Sequence, residues 1–115
     1  MKTLILVNST PYGTEGPYNA LRLTEALLAS GAQVDLFLMG DGVHTARRGQ
    51  DPRDAHKSIE GMLAAALSAG ADVAACGTCC RTRGLEHDDL VDGVDVLTIH
   101  DLASLVSKAD NVISF

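Results

Sequence analysis

The sequence predicts an α/β fold: a single three-layer domain over residues 1–115, with a mostly parallel sheet of about five strands and helices on both faces. Three observations carry this. Residues 3–8, 33–39 and 72–75 are nearly continuous apolar runs rather than alternating ones, the mark of strands covered on both sides. Between them lie stretches with helical apolar spacing. Strand and helix then alternate to the end of the chain without repeats, linkers or low-complexity tracts.

The elements follow in order. Residues 3–8 form a first strand, placed centrally in the sheet, and residues 9–16 a loop rich in turn formers. Pro17 suits the first turn of a helix over residues 17–30, which buries Ala20, Leu21, Leu23, Leu27 and Leu28 and stops at Gly31. The second strand, residues 33–39, ends at Gly40-Asp41-Gly42. Periodicity is lost over residues 43–53, read as a polar connection with one short helical turn. Ile59, Met62, Leu63, Ala66 and Leu67 fall at i, i+3, i+4, i+7 and i+8 and require a helix, placed over residues 54–69. The third strand, residues 72–75, runs into the cysteine stretch 76–84, and residues 93–97 read as a short strand or a packed extended segment. Thr98 and Asp101 have capping-box spacing, so a helix covers residues 99–108, and residues 112–115 form a last strand that must be tied into the sheet.

A chain of 115 residues buries a sizeable core without staples, and with aromatics at only 3% that core is aliphatic. The net charge of -6 argues against nucleic-acid or anionic-membrane partners, which clustered Lys and Arg would hold. Leu4 to Val7 is too short for a signal-peptide core of about 7–15 residues or a span of about 20. A soluble cytoplasmic protein is expected. All three cysteines lie within five positions, which no secreted disulfide framework would do, so reactive or metal-binding thiols are expected.

In open parallel sheets, chemistry gathers beyond the carboxyl ends of the strands. Three loops qualify: residues 9–16, 40–44 and 76–84. If the first and third strands were neighbours, the hydroxyls of the first loop would lie beside Cys76. A thiol is reactive as thiolate, which cationic neighbours and a helix start favour. Arg81 and Arg83 supply the first influence and a helix or turn beginning near Thr78 the second. Cys76 and Cys79 stand in C-x-x-C spacing, open to a redox disulfide, a metal half-site, or a nucleophile with a resolving thiol. A closed zinc site would need Cys76, Cys79, Cys80 and His87, but sequence neighbours such as Cys79 and Cys80 point apart. Gly84 interrupts the helix that a thioredoxin-type motif would need. The first loop has hydroxyls suited to a flavin phosphate, yet Gly13 and Gly16 do not match G-x-G-x-x-G, and turn chemistry explains the segment. His44, His56 and His100 read as surface residues. Neither a cofactor nor a metal is expected.

Thr10-Pro11-Tyr12-Gly13, Leu36-Phe37-Leu38-Met39, Arg48-Gly49-Gln50, the C-x-T-C-x-x-R-G of residues 76–84, Val91-Asp92-Gly93-Val94 and the ending 109–115 together resemble the DsrE/DsrF-like family, in its YchN-like branch, over essentially the whole chain. The resemblance implies a parallel α/β domain assembling into a homotrimer or homohexamer. It also implies sulfur carried as a persulfide on a cysteine matching Cys76, with Cys79 as the branch's second thiol. On that reading Arg81 and Arg83 favour the Cys76 thiolate, sulfur donor and acceptor proteins are the partners, and the activity is sulfur transfer. The alternative is a thiol/disulfide redox sensor or an oligomeric binding module using the C-x-x-C pair.

Overall fold

The structure, a computed structural model, describes residues 1–115 apart from the side chain of Ala55. Five strands, β1 (Lys2–Val7), β2 (Gln33–Leu38), β3 (Asp72–Cys76), β4 (Asp95–Leu97) and β5 (Asn111–Ser114), form one sheet in the order β4-β3-β2-β1-β5. Every pairing is parallel. The helices are α1 (Gly16–Ala29), α2 (Ile59–Ser68), α3 (Gly77–Thr82) and α4 (Ile99–Lys108).

From β1 to β3 the chain steps in one direction across the sheet, and from β4 to β5 it steps back over the whole width. Right-handed crossovers therefore put α1 and α2 on one face and α4 on the other. In keeping with this, α1 packs on α2, β1 and β2, while α4 packs on β1. The expected three layers are present. The interior strands explain the continuous apolar runs: Leu4, Ile5, Val7, Leu36, Phe37 and Leu38 are all essentially inaccessible, and burying a side chain of this size contributes about 1.5–3 kcal/mol.

β1 is interior, as expected, but β2 holds the middle position and separates β1 from β3. The first loop is thus not adjacent to the strand that carries Cys76; the loop after β2 is. Strand order depends on which crossovers pack best, and apolar runs alone do not encode it.

Two boundaries also differ. The helix placed over residues 54–69 starts at Ile59, because the Ser58 side chain accepts from the Gly61 N–H at 3.2 Å and caps it. Residues Ala55–Lys57 form a separate 3-10 turn before it. The connection after β2 is a 3-10 helix, Gly40–Ala46, whose Val43 and Ala46 are fully buried. α4 begins with the expected capping box, Thr98 accepting from the Asp101 N–H and Asp101 from the Thr98 N–H. β5 is an edge strand fastened at both ends: Asp110 N–H donates to the Lys2 carbonyl and Phe115 N–H to the Leu6 carbonyl, each at 2.8 Å. No helix among the described residues is long and apolar enough to cross a membrane.

Candidate functional site

Cys76 is the last residue of β3 and the N-cap of α3. Its extended backbone lets the thiol turn over the helix start, where Sγ accepts the Cys79 N–H at 3.4 Å. A sulfur thus fills the place usually taken by a Ser or Asp oxygen. Gly77 suits this tight junction: a Cβ there would meet Val96 Cγ1 at 3.2 Å and Arg81 Nη1 at 3.3 Å, so both side chains would have to give by a few tenths of an ångström.

The three thiols are free and differ in setting. Cys76 is 7% exposed, Cys79 is half-buried, and Cys80 is 3% exposed within the core cluster. Burial pushes the Cys76 thiol above its ordinary value, and the neighbouring Cys79 side chain adds to this. The backbone N–H groups of Cys79 and Thr78 pull the other way and are outweighed. Cys80 is also raised, chiefly by burial and then by the two neighbouring sulfurs, with Arg81 and Arg83 opposing.

Arg81 and Arg83, expected to favour the Cys76 thiolate, are each bonded to other groups. Both oppose the upward shift of Cys80, while the leading influences at Cys76 are burial and Cys79. Arg83 Nε donates to Asp41 Oδ1 at 3.0 Å and Nη1 to the Cys79 carbonyl at 3.1 Å. Arg81 folds back over Gly77, with Nη2 on Thr78 Oγ1 at 3.3 Å. The spacing puts both arginines in the right neighbourhood, but side-chain direction decides what their charge reaches.

Asp41 is the site residue that sequence reasoning misses. It lies in the 3-10 helix after β2, at the carboxyl end of the strand next to β3. A usable signal is present in the chain: an acid between two glycines in one of the three loops where chemistry is expected. Gly42 lets this segment press on the end of β1, since a Cβ there would run into the Val7 carbonyl.

The first loop turns inward on itself. Thr14 Oγ1 donates to the Thr10 carbonyl at 3.2 Å and accepts the Gly16 N–H at 3.3 Å. Tyr12, at φ 64, sends its hydroxyl across to accept the Ile59 N–H at 3.0 Å. These hydroxyls serve the turn and the start of α2. Among the described residues, no group of three or more His, Cys, Asp or Glu is placed to hold a metal ion, so the cysteines and His87 do not form a ligand set.

Comparison with known proteins gives a consistent picture. The model of the DsrE/DsrF-like family matches residues 1–115. The chain is 39% identical over 115 residues to the uncharacterized protein MJ0989 of Methanocaldococcus jannaschii, covering 100% of both. It is 38% identical to protein YchN of Escherichia coli over 99% of this chain and 98% of that protein. The crystal structure of YchN superimposes with a TM-score of 0.93 over 100% of this chain and 99% of that one. A protein of unknown function from Methanobacterium thermoautotrophicum, MTH1491, is 18% identical and shares the fold with a TM-score of 0.81 over 99% of this chain and 98% of its own.

Proposed function

The chain belongs to the DsrE/DsrF-like family, and from that premise we propose that it is a small cytoplasmic sulfur carrier that holds sulfur as a persulfide on Cys76. One observation carries the reading: Cys76 Sγ sits at the junction of β3 and α3, with the Cys79 N–H on it at 3.4 Å. Fold alone hosts many functions, so the weight rests on this sulfur.

The Cys76 thiolate attacks the outer sulfur of a donor persulfide, R–S–SH. The donor's S–S bond breaks, R–S⁻ leaves, and Cys76–S–SH remains. An acceptor thiolate then attacks that outer sulfur and regenerates the Cys76 thiolate. Burial keeps the unloaded thiol protonated, which spares it from adventitious oxidation. A persulfide is more acidic than a thiol, and its outer sulfur stands one bond further from the buried Sγ. The loaded form therefore carries the charge that burial disfavours in the unloaded one. Cys79 can instead attack Sγ of the loaded Cys76, closing a disulfide and expelling hydrosulfide; a dithiol reductant then restores the pair.

Sulfur donor and acceptor proteins are the partners on this reading, and a homotrimer or homohexamer is the working assembly. Ile99, Val106, Val112 and Ile113 are apolar and exposed on α4 and β5, which supports association. Mass spectrometry after incubation with a persulfide donor is expected to find one added sulfur on Cys76. Equal loading of Cys76→Ser would overturn the proposal.

A second reading has its own observation. Two free thiols stand in C-x-x-C spacing, with the backbone N–H of Cys79 on the sulfur of Cys76, as a dithiol/disulfide switch needs. A reduction potential near the cytosolic poise, with no sulfur loading, would favour a redox sensor.

A further inference from the structure

The helix that presents Cys76 is short and ends abruptly. Over Gly77–Thr82, its closing carbonyls cannot all find backbone donors. The Cys80 carbonyl takes the N–H groups of Arg83 and Leu85, and the Arg81 carbonyl takes that of Gly84. The Arg83 N–H is thus diverted from the Cys79 carbonyl, its regular helical acceptor. The Arg83 side chain supplies the missing donor instead, Nη1 reaching that carbonyl at 3.1 Å.

The same guanidinium is held from its other side by Asp41, 3.0 Å from Nε. Asp41 stands on a firm base, because the 3-10 helix Gly40–Ala46 is packed against β2, β3, α2 and α3 and its Gly42 lies on the Val7 carbonyl. A continuous path therefore runs from the Asp41 carboxylate through Arg83 to the Cys79 carbonyl, and from the Cys79 N–H to Cys76 Sγ.

We propose that Asp41 and Arg83 act as a clamp that positions Cys79 so that its N–H stays on Cys76 Sγ, making them positioning residues for the thiol rather than sources of charge on it. This rests on the reading that Cys76 is the working thiol. Arg83 is suited to the task because its planar fork makes two bonds at once, which a lysine ammonium on a flexible stem does not reproduce. The Cys79 N–H is one of the two backbone donors that favour the Cys76 thiolate. If the clamp is released, that donor drifts from the sulfur and burial acts with less opposition.

The test is the pH profile of Cys76 alkylation by iodoacetamide, with Cys79→Ser and Cys80→Ala present throughout so that one thiol reacts. Both changes keep the backbone N–H at position 79. Asp41→Ala and Arg83→Gln are each expected to move the Cys76 profile to higher pH and to slow alkylation at neutral pH about three- to tenfold, as the thiolate fraction falls by that factor. The double variant should be no slower than either single one, because the two residues act as a unit. Asp41→Glu, which keeps a carboxylate, should restore the parent profile, and thermal unfolding should barely change because Asp41 is mostly exposed.

The proposal is overturned if the Asp41→Ala profile overlays the parent, if the two effects add in full, or if Asp41→Glu fails to restore the profile. Iodoacetamide reports the thiol whatever its cargo. Absence of persulfide loading together with a profile moved to higher pH removes the proposed function and leaves the clamp; loading with an unmoved profile does the reverse.

Discussion

Cys76 caps its own helix with sulfur: its thiol accepts the Cys79 N–H at 3.4 Å, so the first turn of α3 and the candidate nucleophile are held by one bond. Position and reactivity are therefore coupled. A serine at 76 would cap the helix at least as well and abolish thiol chemistry, which makes Cys76→Ser a clean probe of function.

The buried thiols should shape alkaline stability. Cys76 and Cys80 are both raised in the folded state above the ordinary 9.0, with burial the leading cause. Their protonated forms suit the fold, so this contribution is fully present below about pH 9 and is lost as pH rises through the folded values. Urea midpoints should hold up to about pH 9 and fall above it, and Cys76→Ser with Cys80→Ala should flatten the fall.

Asp101 works in the opposite direction on the acid side. Its carboxyl is held below the ordinary 3.8 by the Thr98 backbone N–H and then the Thr98 hydroxyl. The stability it lends is present above the unfolded value and is lost as pH falls through the folded one. In Asp101→Asn, acid unfolding followed by circular dichroism should show a shallower decline below pH 4.

Two glycines should behave differently for stated reasons. A Cβ at Gly42 would strike the Val7 carbonyl, so Gly42→Ala must displace the segment carrying Asp41 and should cost about 1–3 kcal/mol in a urea titration. Gly31 has φ 89 with open space around it, so Gly31→Ala meets backbone strain alone, about 1–2 kcal/mol. Only the first change should also slow Cys76 alkylation.

Lys2 Nζ lies 3.4 Å from Asp35 Oδ2, an oxygen buried without a hydrogen bond in the middle strand. Breaking a fully buried pair from one side costs about 3–5 kcal/mol, and here the Lys2 side chain is 30% exposed, so Lys2→Met should cost less, on the order of 2 kcal/mol. Removing both charges in Lys2→Met/Asp35→Leu should recover most of the loss, read from the urea midpoint.

Tyr12 offers a test of the strap between the first loop and α2. Its hydroxyl accepts the Ile59 N–H at 3.0 Å, so Tyr12→Phe should cost about 1 kcal/mol, while persulfide loading stays at the parent level.

Elements whose evidence is local are legible in the sequence. The buried runs of β1, β2 and β3, the stripe from Ile59 to Leu67 and the Thr98–Asp101 box all express nearest-neighbour physics, and each is present. Sequence spacing sets the start of α2 too early because residues 54–57 hold no Pro or Gly to break a helix, and the Ser58 cap that stops them is a single hydroxyl. The middle position of β2 is not legible at all, since strand order is a long-range outcome that apolar runs within single strands do not encode.

By itself, then, the sequence determined the layer architecture, the family resemblance and the placing of Cys76 where a buried strand meets a helix start, because apolar periodicity and capping chemistry act within a few residues. Only the tertiary structure decided what surrounds that sulfur. It turned Arg83 away to Asp41, a residue 42 positions distant, and set Arg81 over Gly77. It also buried Cys80 and left Cys76 under the control of burial and backbone donors. Those outcomes depend on side-chain direction and on contacts between loops from different strands, which come together only when the parallel sheet closes.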